Sequence, residues 1–176
     1  MSQLSALSLS IGILGAIWAY LALGPLSGDV LVWAGFIAWG CYFHTGANSN
    51  ALTKTIVGTA YGAFIGWIAL LIIVNVAMHA LGTAWPAIVV GVTVFFLVIV
   101  ASINLLSVVP ANVYGYAAIV AYALQTTPPP PATGPLQNLT SGSFANPLIL
   151  VIVSMVIGAL FGLVSNKLSA ALAKKV

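Results

Sequence analysis

Apolar residues run through this chain in six long stretches, separated by short segments rich in glycine, proline, asparagine and serine. About 20 apolar residues are what an α-helix needs to cross the hydrocarbon core of a bilayer. We therefore predict an all-α, polytopic membrane protein with six transmembrane helices. The predicted helices cover about residues 5–23, 29–44, 53–80, 86–103, 105–124 and 147–166.

A weak internal repeat relates the third predicted helix to the sixth. Residues 50–67 and 146–163 align without a gap and are identical at seven positions. The identical pairs are Asn50/Asn146, Leu52/Leu148, Ile56/Ile152, Val57/Val153, Gly62/Gly158, Ala63/Ala159 and Gly66/Gly162. Composition alone accounts for roughly two such matches. Because two copies of a three-helix unit must face opposite ways across the bilayer, we predict an inverted 3+3 repeat with halves at about 5–80 and 84–168.

The connection between the fifth and sixth predicted helices, about residues 125–146, is rich in proline. Its four consecutive prolines, Pro128 to Pro131, favour extended polyproline II. Backbone of that kind has no internal hydrogen bonds and is not tolerated against lipid. This segment is therefore predicted to be an aqueous, external loop or lid.

Composition strengthens the membrane assignment, and charge orients the chain. Of the 176 residues, 62% are hydrophobic and 3% are charged, and the mean hydropathy is +1.19. So few charges cannot cover a soluble domain, and residues 1–176 are predicted to form a single transmembrane domain. With six helices, one side carries every lysine and the other carries Asp29; the lysines are Lys54, Lys167, Lys174 and Lys175. The positive-inside rule then puts both termini in the cytoplasm, and no basic patch is available for nucleic acid.

Few residues are available for acid–base or metal chemistry. Asp29 lies at a predicted helix start, where a carboxylate interacts with the helix dipole. Cys41 is alone in the sequence, so no disulfide or C-x-x-C site is expected. His44 and His79 end helices two and three on opposite sides, about 30 Å apart, and each is either an interfacial residue or a candidate pH gate. We predict no enzyme activity, no cofactor and no metal site.

Neutral polar side chains remain as candidates for a solute path. The segment from Pro110 to Gly115 stands out because proline frees a backbone carbonyl and Asn112 adds an amide beside it. In the repeat, Gly35 corresponds to Asn112, and interrupted helices at corresponding positions point to a transport site. The alternative is a proline kink with Asn112 bonded to a neighbouring helix. The predicted path is lined by Gly35, Trp39, Asn112, Tyr114 and Tyr116.

Glycines recur every four residues on the third and sixth predicted helices. They are Gly58, Gly62 and Gly66 on one helix and Gly158 and Gly162 on the other. Small residues at this spacing let two helices approach closely. We expect these glycines to pack the third helix on the sixth at the pseudo-twofold axis, with formation of an oligomer as the alternative.

Two segments carry a resemblance to a known family. They are Trp33-Ala-Gly-Phe-Ile-Ala-Trp-Gly-Cys-Tyr-Phe-His-Thr-Gly46 and Lys54-Thr-Ile-Val-Gly-Thr-Ala-Tyr-Gly-Ala-Phe-Ile-Gly-Trp67. Through them the chain resembles, over nearly its whole length, a bacterial family known as domain of unknown function 1097. The resemblance implies a small protein of the bacterial inner membrane and carries no activity. A fainter likeness is to the membrane half of the fusaric-acid-resistance and aromatic-acid-exporter group, whose arginines and cytoplasmic domain this chain lacks.

These observations predict a passive channel or facilitator for a small, neutral solute. A homo-oligomer in the lipid bilayer is expected, because six short helices bury little internal surface. The alternative is a structural or accessory subunit that docks to a larger membrane complex and has no pore of its own.

Overall fold

The chain forms a bundle of six α-helices in the computed structural model, which describes residues 1–126 and 133–173. The helices are α1 Gln3–Leu23, α2 Val32–His44, α3 Ser49–Asn75, α4 Ala84–Ile99, α5 Val109–Gln125 and α6 Pro147–Leu172. No β-strand occurs within these described ranges, so the all-α prediction is confirmed. The predicted polyproline II segment, Pro128 to Pro131, and two of the lysines, Lys174 and Lys175, lie outside the described residues.

Polar residues begin three of the helices. The Ser2 hydroxyl accepts the amide of Ser5, Asn48 accepts the amide of Ala51, and Asn146 accepts the amide of Leu148. Each bond satisfies one of the amides that have no partner within the first turn of a helix. The sequence therefore sets these boundaries locally.

Proline corrects the predicted start of α5. We expected one helix over 105–124 with Pro110 inside it, but α5 begins at Val109 and Pro110 lies in its first turn. Residues Asn104–Leu106 form a separate 3₁₀ turn. A proline in the first turn costs no helical hydrogen bond, because the amide there has no partner in any case. The proline kink that we gave as an alternative therefore does not occur, because Pro110 does not lie inside the helix.

Four of the six helices are long and apolar enough to cross a membrane. They are Gln3–Leu23, Ser49–Asn75, the stretch Ala84–Ser102 that includes α4, and Pro147–Leu172. The other two, α2 with 13 residues and α5 with 17, are shorter. The protein is thus a membrane protein with several apolar helices, two of which are short.

The third and sixth helices hold the bundle together, each with a different partner. Helix α3 packs most extensively on α5, and α6 packs most extensively on α2. Helix α4 lies against α3, and α1 lies against α6. The two short helices are therefore held by the two longest ones.

The glycine faces correct our expectation that they pack α3 on α6. A Cβ atom added to any of the three α3 glycines, Gly58, Gly62 or Gly66, would meet atoms of α5. One added to Gly158 or Gly162 would meet atoms of α2. Since a glycine spacing shows only that some backbone approaches closely, the sequence did not identify the partner. Both glycine faces are occupied by other helices of the same chain.

The described part of the proline-rich loop, residues 133–146, folds back onto one end of the bundle. Leu139 is buried among side chains of α2, α3, α5 and α6. The ring nitrogen of Trp67 donates to the Leu139 carbonyl at 2.7 Å, and Asn146 donates to the same oxygen at 3.0 Å. We call this the loop end of the bundle: α2 and α6 begin there, and α3 and α5 end there.

Candidate functional site: a cleft between the two short helices

A cleft of about 730 Å³ lies between α2 and α5. Its α2 wall consists of Trp33, Phe36, Ile37, Gly40 and Cys41. Its α5 wall consists of Tyr114, Ala117, Ala118, Ala121, Tyr122 and Gln125, followed by Thr126. This volume lies within the range of small-molecule sites in proteins, about 300–1,000 Å³.

The cleft exists because each short helix is held from behind. Helix α2 packs on α6, and α5 packs on α3, while α2 and α5 contact each other only sparsely. Small residues, Gly40 on α2 and Ala117 and Ala121 on α5, line the space between them. A Cβ atom built on Gly40 would meet no other atom within 4 Å. The facing helix surfaces are therefore too small to fill the gap.

Four aromatic side chains line the cleft: Trp33 and Phe36 on α2, and Tyr114 and Tyr122 on α5. Trp33, Phe36 and Tyr114 are each more than one-third exposed. Three other tryptophans, at positions 18, 39 and 67, donate their ring N–H to protein oxygens. Trp33 makes no such bond to another described residue, and its ring lines the cleft.

The cleft contains neutral polar groups but no charged side chain among its described lining. Gln125 and Thr126 lie at the loop end, next to the start of α2, and the Tyr114 hydroxyl lies three turns away. The buried Cys41 thiol completes the polar set. The arrangement can accept and donate hydrogen bonds, but it offers no counter-ion.

Of the five predicted path residues, the structure places only Tyr114 on this cleft. Gly35 is buried where α2 contacts both α1 and α6. A Cβ atom at Gly35 would lie 2.5 Å from Cζ2 of Trp18, and the Gly35 backbone packs directly against Gly158. Its lack of a side chain thus makes room for an indole ring rather than for a solute.

The other three predicted path residues also lie in helix contacts. Trp39 donates to the hydroxyl of Ser165 at 3.0 Å, and the Tyr116 hydroxyl lies 3.0 Å from that of Thr93. Asn112, which is fully buried, donates to the carbonyl of Leu106 at 3.0 Å and to that of Leu97 at 3.4 Å. These contacts agree with the alternative interpretation of Asn112 as a bond to a neighbouring helix.

The side-chain amide oxygen of Asn112 is buried without a conventional hydrogen-bond partner. It points at the α carbon of Gly58, since a Cβ built there would lie 2.9 Å from it. A close α C–H of glycine is a weak donor that occurs at helix contacts. Gly58 therefore admits both the α5 backbone and this amide.

The two histidines, His44 and His79, are exposed and belong to opposite ends of the bundle. His44 ends α2, whereas His79 lies in a short 3₁₀ turn after α3 rather than on that helix. Neither residue lines the cleft. Within residues 1–126 and 133–173, no group of three potential metal ligands is found.

Sequence reasoning missed most of the cleft residues. Trp33, Ile37 and Gly40 follow one another at helical spacing on α2, as Tyr114, Ala117 or Ala118, Ala121 and Gln125 do on α5. That stripe of aromatic and small residues, on α2 and on α5, is the signal in the sequence for this cleft. We passed over it because an aromatic or alanine stripe is the ordinary composition of a packed membrane helix.

The comparisons with known proteins agree with the resemblance drawn from the sequence. No curated protein and no solved structure matches the chain. The fainter likeness to the fusaric-acid-resistance and aromatic-acid-exporter group is not supported by any match. One family model matches, over residues 8–170. The chain therefore belongs to the family described as Protein of unknown function (DUF1097).

Proposed function

We propose that the protein is a passive channel or facilitator for a small, uncharged solute, and that the solute follows the cleft between α2 and α5. The observation that carries the proposal is the position of this cleft. It lies between α2 and α5, the two helices outside the four stretches that are long enough to cross a membrane, and these are the second helix of each half of the predicted repeat. Short segments at corresponding positions of two halves are the best sequence pointer to a transport site.

The glycine contacts support an inverted repeat. Gly62 packs on the backbone of Asn112, and its repeat equivalent Gly158 packs on the backbone of Gly35. Asn112 and Gly35 correspond roughly to each other in the predicted repeat. The third helix of each half thus contacts the second helix of the other half at matching positions.

A second pair of contacts follows the same rule. Gly66 meets Tyr116 and Ile119 on α5, and Gly162 meets Trp39 and Tyr42 on α2. Adding 77 to positions 39 and 42 gives 116 and 119, the same offset that relates Gly35 to Asn112. Two interfaces that agree in three contacts support the 3+3 arrangement.

In this proposal all six helices cross the bilayer. Helix α2 is about 20 Å long at 1.5 Å per residue, which is shorter than the hydrocarbon core of about 30 Å. Residues before and after α2 would complete its crossing. Such a short helix brings non-helical backbone to membrane depth, which is tolerated where the backbone is buried in protein or lines a cavity.

The charges support an orientation in the bacterial inner membrane with both termini in the cytoplasm. Lys54 and Lys167 lie towards the end of the bundle opposite the loop end, and Asp29 lies at the loop end. By the positive-inside rule, the loop end then faces the outside.

The absence of charge from the described cleft lining supports a neutral solute and a passive mechanism. Ion-coupled transporters place carboxylates or other ionisable groups at membrane depth. Here the lining groups are hydroxyl, amide, thiol and indole groups, which recognise uncharged molecules.

We also propose a homo-oligomer, whose subunits associate through a surface other than the glycine faces. Helix α4 is the least buried of the four long helices, and it exposes Phe95 and Phe96. Self-association through α4 would cover these rings.

The test is a substitution that fills the cleft without disturbing the bundle. Gly40→Phe places a ring in open space, so we expect a folded protein with reduced solute flux. Gly91→Phe is the matched control, because Gly91 on α4 is also exposed and also has open space around it. Flux is measured by stopped-flow light scattering of liposomes against a panel of small neutral solutes.

Two results would contradict the proposal. Equal flux in the Gly40→Phe and Gly91→Phe proteins would remove the cleft as the path. No acceleration by the unmodified, correctly inserted protein for any solute would instead favour an accessory subunit without a pore, and purification of a stable heteromeric complex from native membranes would then identify its partner.

A further inference from the structure

We infer that the cleft selects flat, uncharged aromatic molecules rather than polyols, urea-like solutes or anions. The inference rests on the proposed function, because it takes the same cleft as the binding site and names the chemical class of its solute. It is carried by the shape and chemistry of the walls.

The walls provide surfaces on which a ring can stack. Trp33 on one side and Tyr114 and Tyr122 on the other line the cleft. Phe36 lies at its edge, where its ring stacks on that of Trp39. Aromatic pairs stabilise each other beyond the effect of buried area, by about 0.5–1.5 kcal/mol per pair. A second aromatic ring is therefore a better occupant than an aliphatic group of the same size.

Between the rings the walls are smooth. Gly40, Ala117 and Ala121 project at most one methyl group, so they leave the space between the two helices unfilled. A flat molecule can contact small residues on both helices at once.

The polar groups are too few to replace the hydration of a polyol. Buried hydroxyls without partners cost several kcal/mol, about 2–7 in transfer experiments. The lining offers scattered polar groups: Tyr114, Tyr122 and Cys41 among apolar residues, and Gln125 and Thr126 at the loop end. One hydroxyl or ring N–H on the solute can be satisfied there, but three adjacent hydroxyls cannot.

Anions are excluded by the same lining. Neither lysine nor histidine is among the residues described around the cleft. Transfer of an unpaired carboxylate into such a site is far more costly than transfer of a hydroxyl. The neutral form of an aromatic molecule is therefore the one recognised.

The experiment measures occupancy rather than transport. A reporter cysteine is introduced as Gly40→Cys together with Cys41→Ala, so that the only thiol faces the open part of the cleft. The control is Gly91→Cys in the same Cys41→Ala background, with its thiol on the outer face of α4. Both proteins are placed in phosphatidylcholine vesicles and labelled with N-ethylmaleimide in the presence of phenol, cyclohexanol, hexanol, benzoate or glycerol.

Phenol is expected to slow labelling at position 40 in a saturable way, to about one-tenth at ten times its Kd, and to leave position 91 unchanged. Cyclohexanol, benzoate and glycerol are expected to protect at least fivefold less. Trp33→Leu should raise the phenol concentration for half-protection about two- to tenfold, which is the worth of one ring pair. Phe95→Leu, which removes an exposed ring from α4, should leave it unchanged.

Four outcomes would overturn the inference. Equal slowing at positions 40 and 91 would mean that phenol acts on the bilayer. Equal protection by cyclohexanol would mean that flatness is not recognised, and strongest protection by hexanol would identify a groove for acyl chains. Protection by phenol without any solute flux would contradict the transport proposal alone, whereas flux that depends on Gly40 without protection by phenol would contradict this inference alone.

Discussion

The contact of α3 with α5 and the contact of α6 with α2 use the same close approach of backbones but different polar groups. In both, a glycine lies directly against the backbone of the facing helix: Gly62 against Asn112, and Gly158 against Gly35. Beside this point, however, α6 carries a serine where α3 carries a glycine. Ser154 accepts the amide of Leu31 at the start of α2.

In the α3–α5 contact, the polar group comes from the facing helix, α5. Position 58 is the equivalent of Ser154, and its lack of a side chain admits the amide of Asn112 from α5. Position 35, the equivalent of Asn112, is a glycine that admits the indole of Trp18 from α1. The comparison teaches that the backbone approach is the shared requirement. The side chain that fills the adjoining space, and the helix that supplies it, are free to vary.

The largest expected effect on stability comes from substitutions at the glycines where the backbones of two helices approach closely. Gly62→Ala and Gly158→Ala each add a methyl group that overlaps the backbone of the facing helix. We expect each to lower the free energy of unfolding by about 2–3 kcal/mol, because overpacking forces the helices apart. The measurement is unfolding of the purified protein in mixed micelles, followed by tryptophan fluorescence.

Gly91→Ala is the control, since a methyl group there meets no atom within 4 Å. It should be neutral or stabilise slightly, because alanine favours helix more than glycine does. If the free energies of unfolding of Gly62→Ala and Gly158→Ala differ from each other by more than either differs from that of Gly91→Ala, the two contacts are not equivalent.

A smaller effect is expected where the contacts differ. Asn112→Leu removes the donor to the carbonyl of Leu97, near the end of α4, and to that of Leu106, in the 3₁₀ turn before α5. Leaving such groups unpaired costs about 1–3 kcal/mol. Because the side chain lies in a helix contact rather than on the cleft, solute flux per folded protein should not change.

The matched change is Asn104→Leu, since Asn104 is exposed in the 3₁₀ turn before α5. It should alter neither stability nor flux. Reduced flux in a fully stable Asn112→Leu protein would return this residue to the path that the sequence suggested.

The path predicted from the sequence illustrates which features of this protein could be predicted and which could not. The presence of six helices could be predicted, since long apolar runs and the proline at Pro147 act locally. The bounds of the third helix were wrong: we expected about 53–80, but Asn48 caps a helix that spans Ser49–Asn75. Which helix each glycine face meets could not be predicted, because every helix here is apolar on most of its surface. A pattern without a polar face does not point to a partner.

The site illustrates the same limit. A polar residue in a membrane helix can face a solute path or bond to a neighbouring helix, and its identity does not distinguish the two. Asn112 and Tyr116 bond to neighbouring elements, whereas Gly40 and Ala117, which resemble packing residues, line the cleft. Whether a residue packs or lines the cleft depends on which side of its helix is covered by other helices. That side is set by the packing of the whole bundle.

The smallest expected effect is on the polar group that only the α6–α2 contact has. Ser154→Ala removes the acceptor of the Leu31 amide, and α2 has no side-chain cap of its own. We expect a loss of about 1 kcal/mol and faster hydrogen exchange in the first turn of α2. Ser8→Ala, at an exposed position on α1, serves as the control and should change neither quantity.

Ser154→Gly sharpens the comparison further, because it gives α6 the residue that α3 has at position 58. If the backbone approach is the shared requirement, this protein should retain the α6–α2 contact and lose only the capping bond. Its free energy of unfolding would then be about 1 kcal/mol lower than that of Ser154→Ala, because glycine is less favourable than alanine inside a helix. A much larger loss would mean that Ser154 maintains the contact itself, and that the two interfaces are held together by different forces.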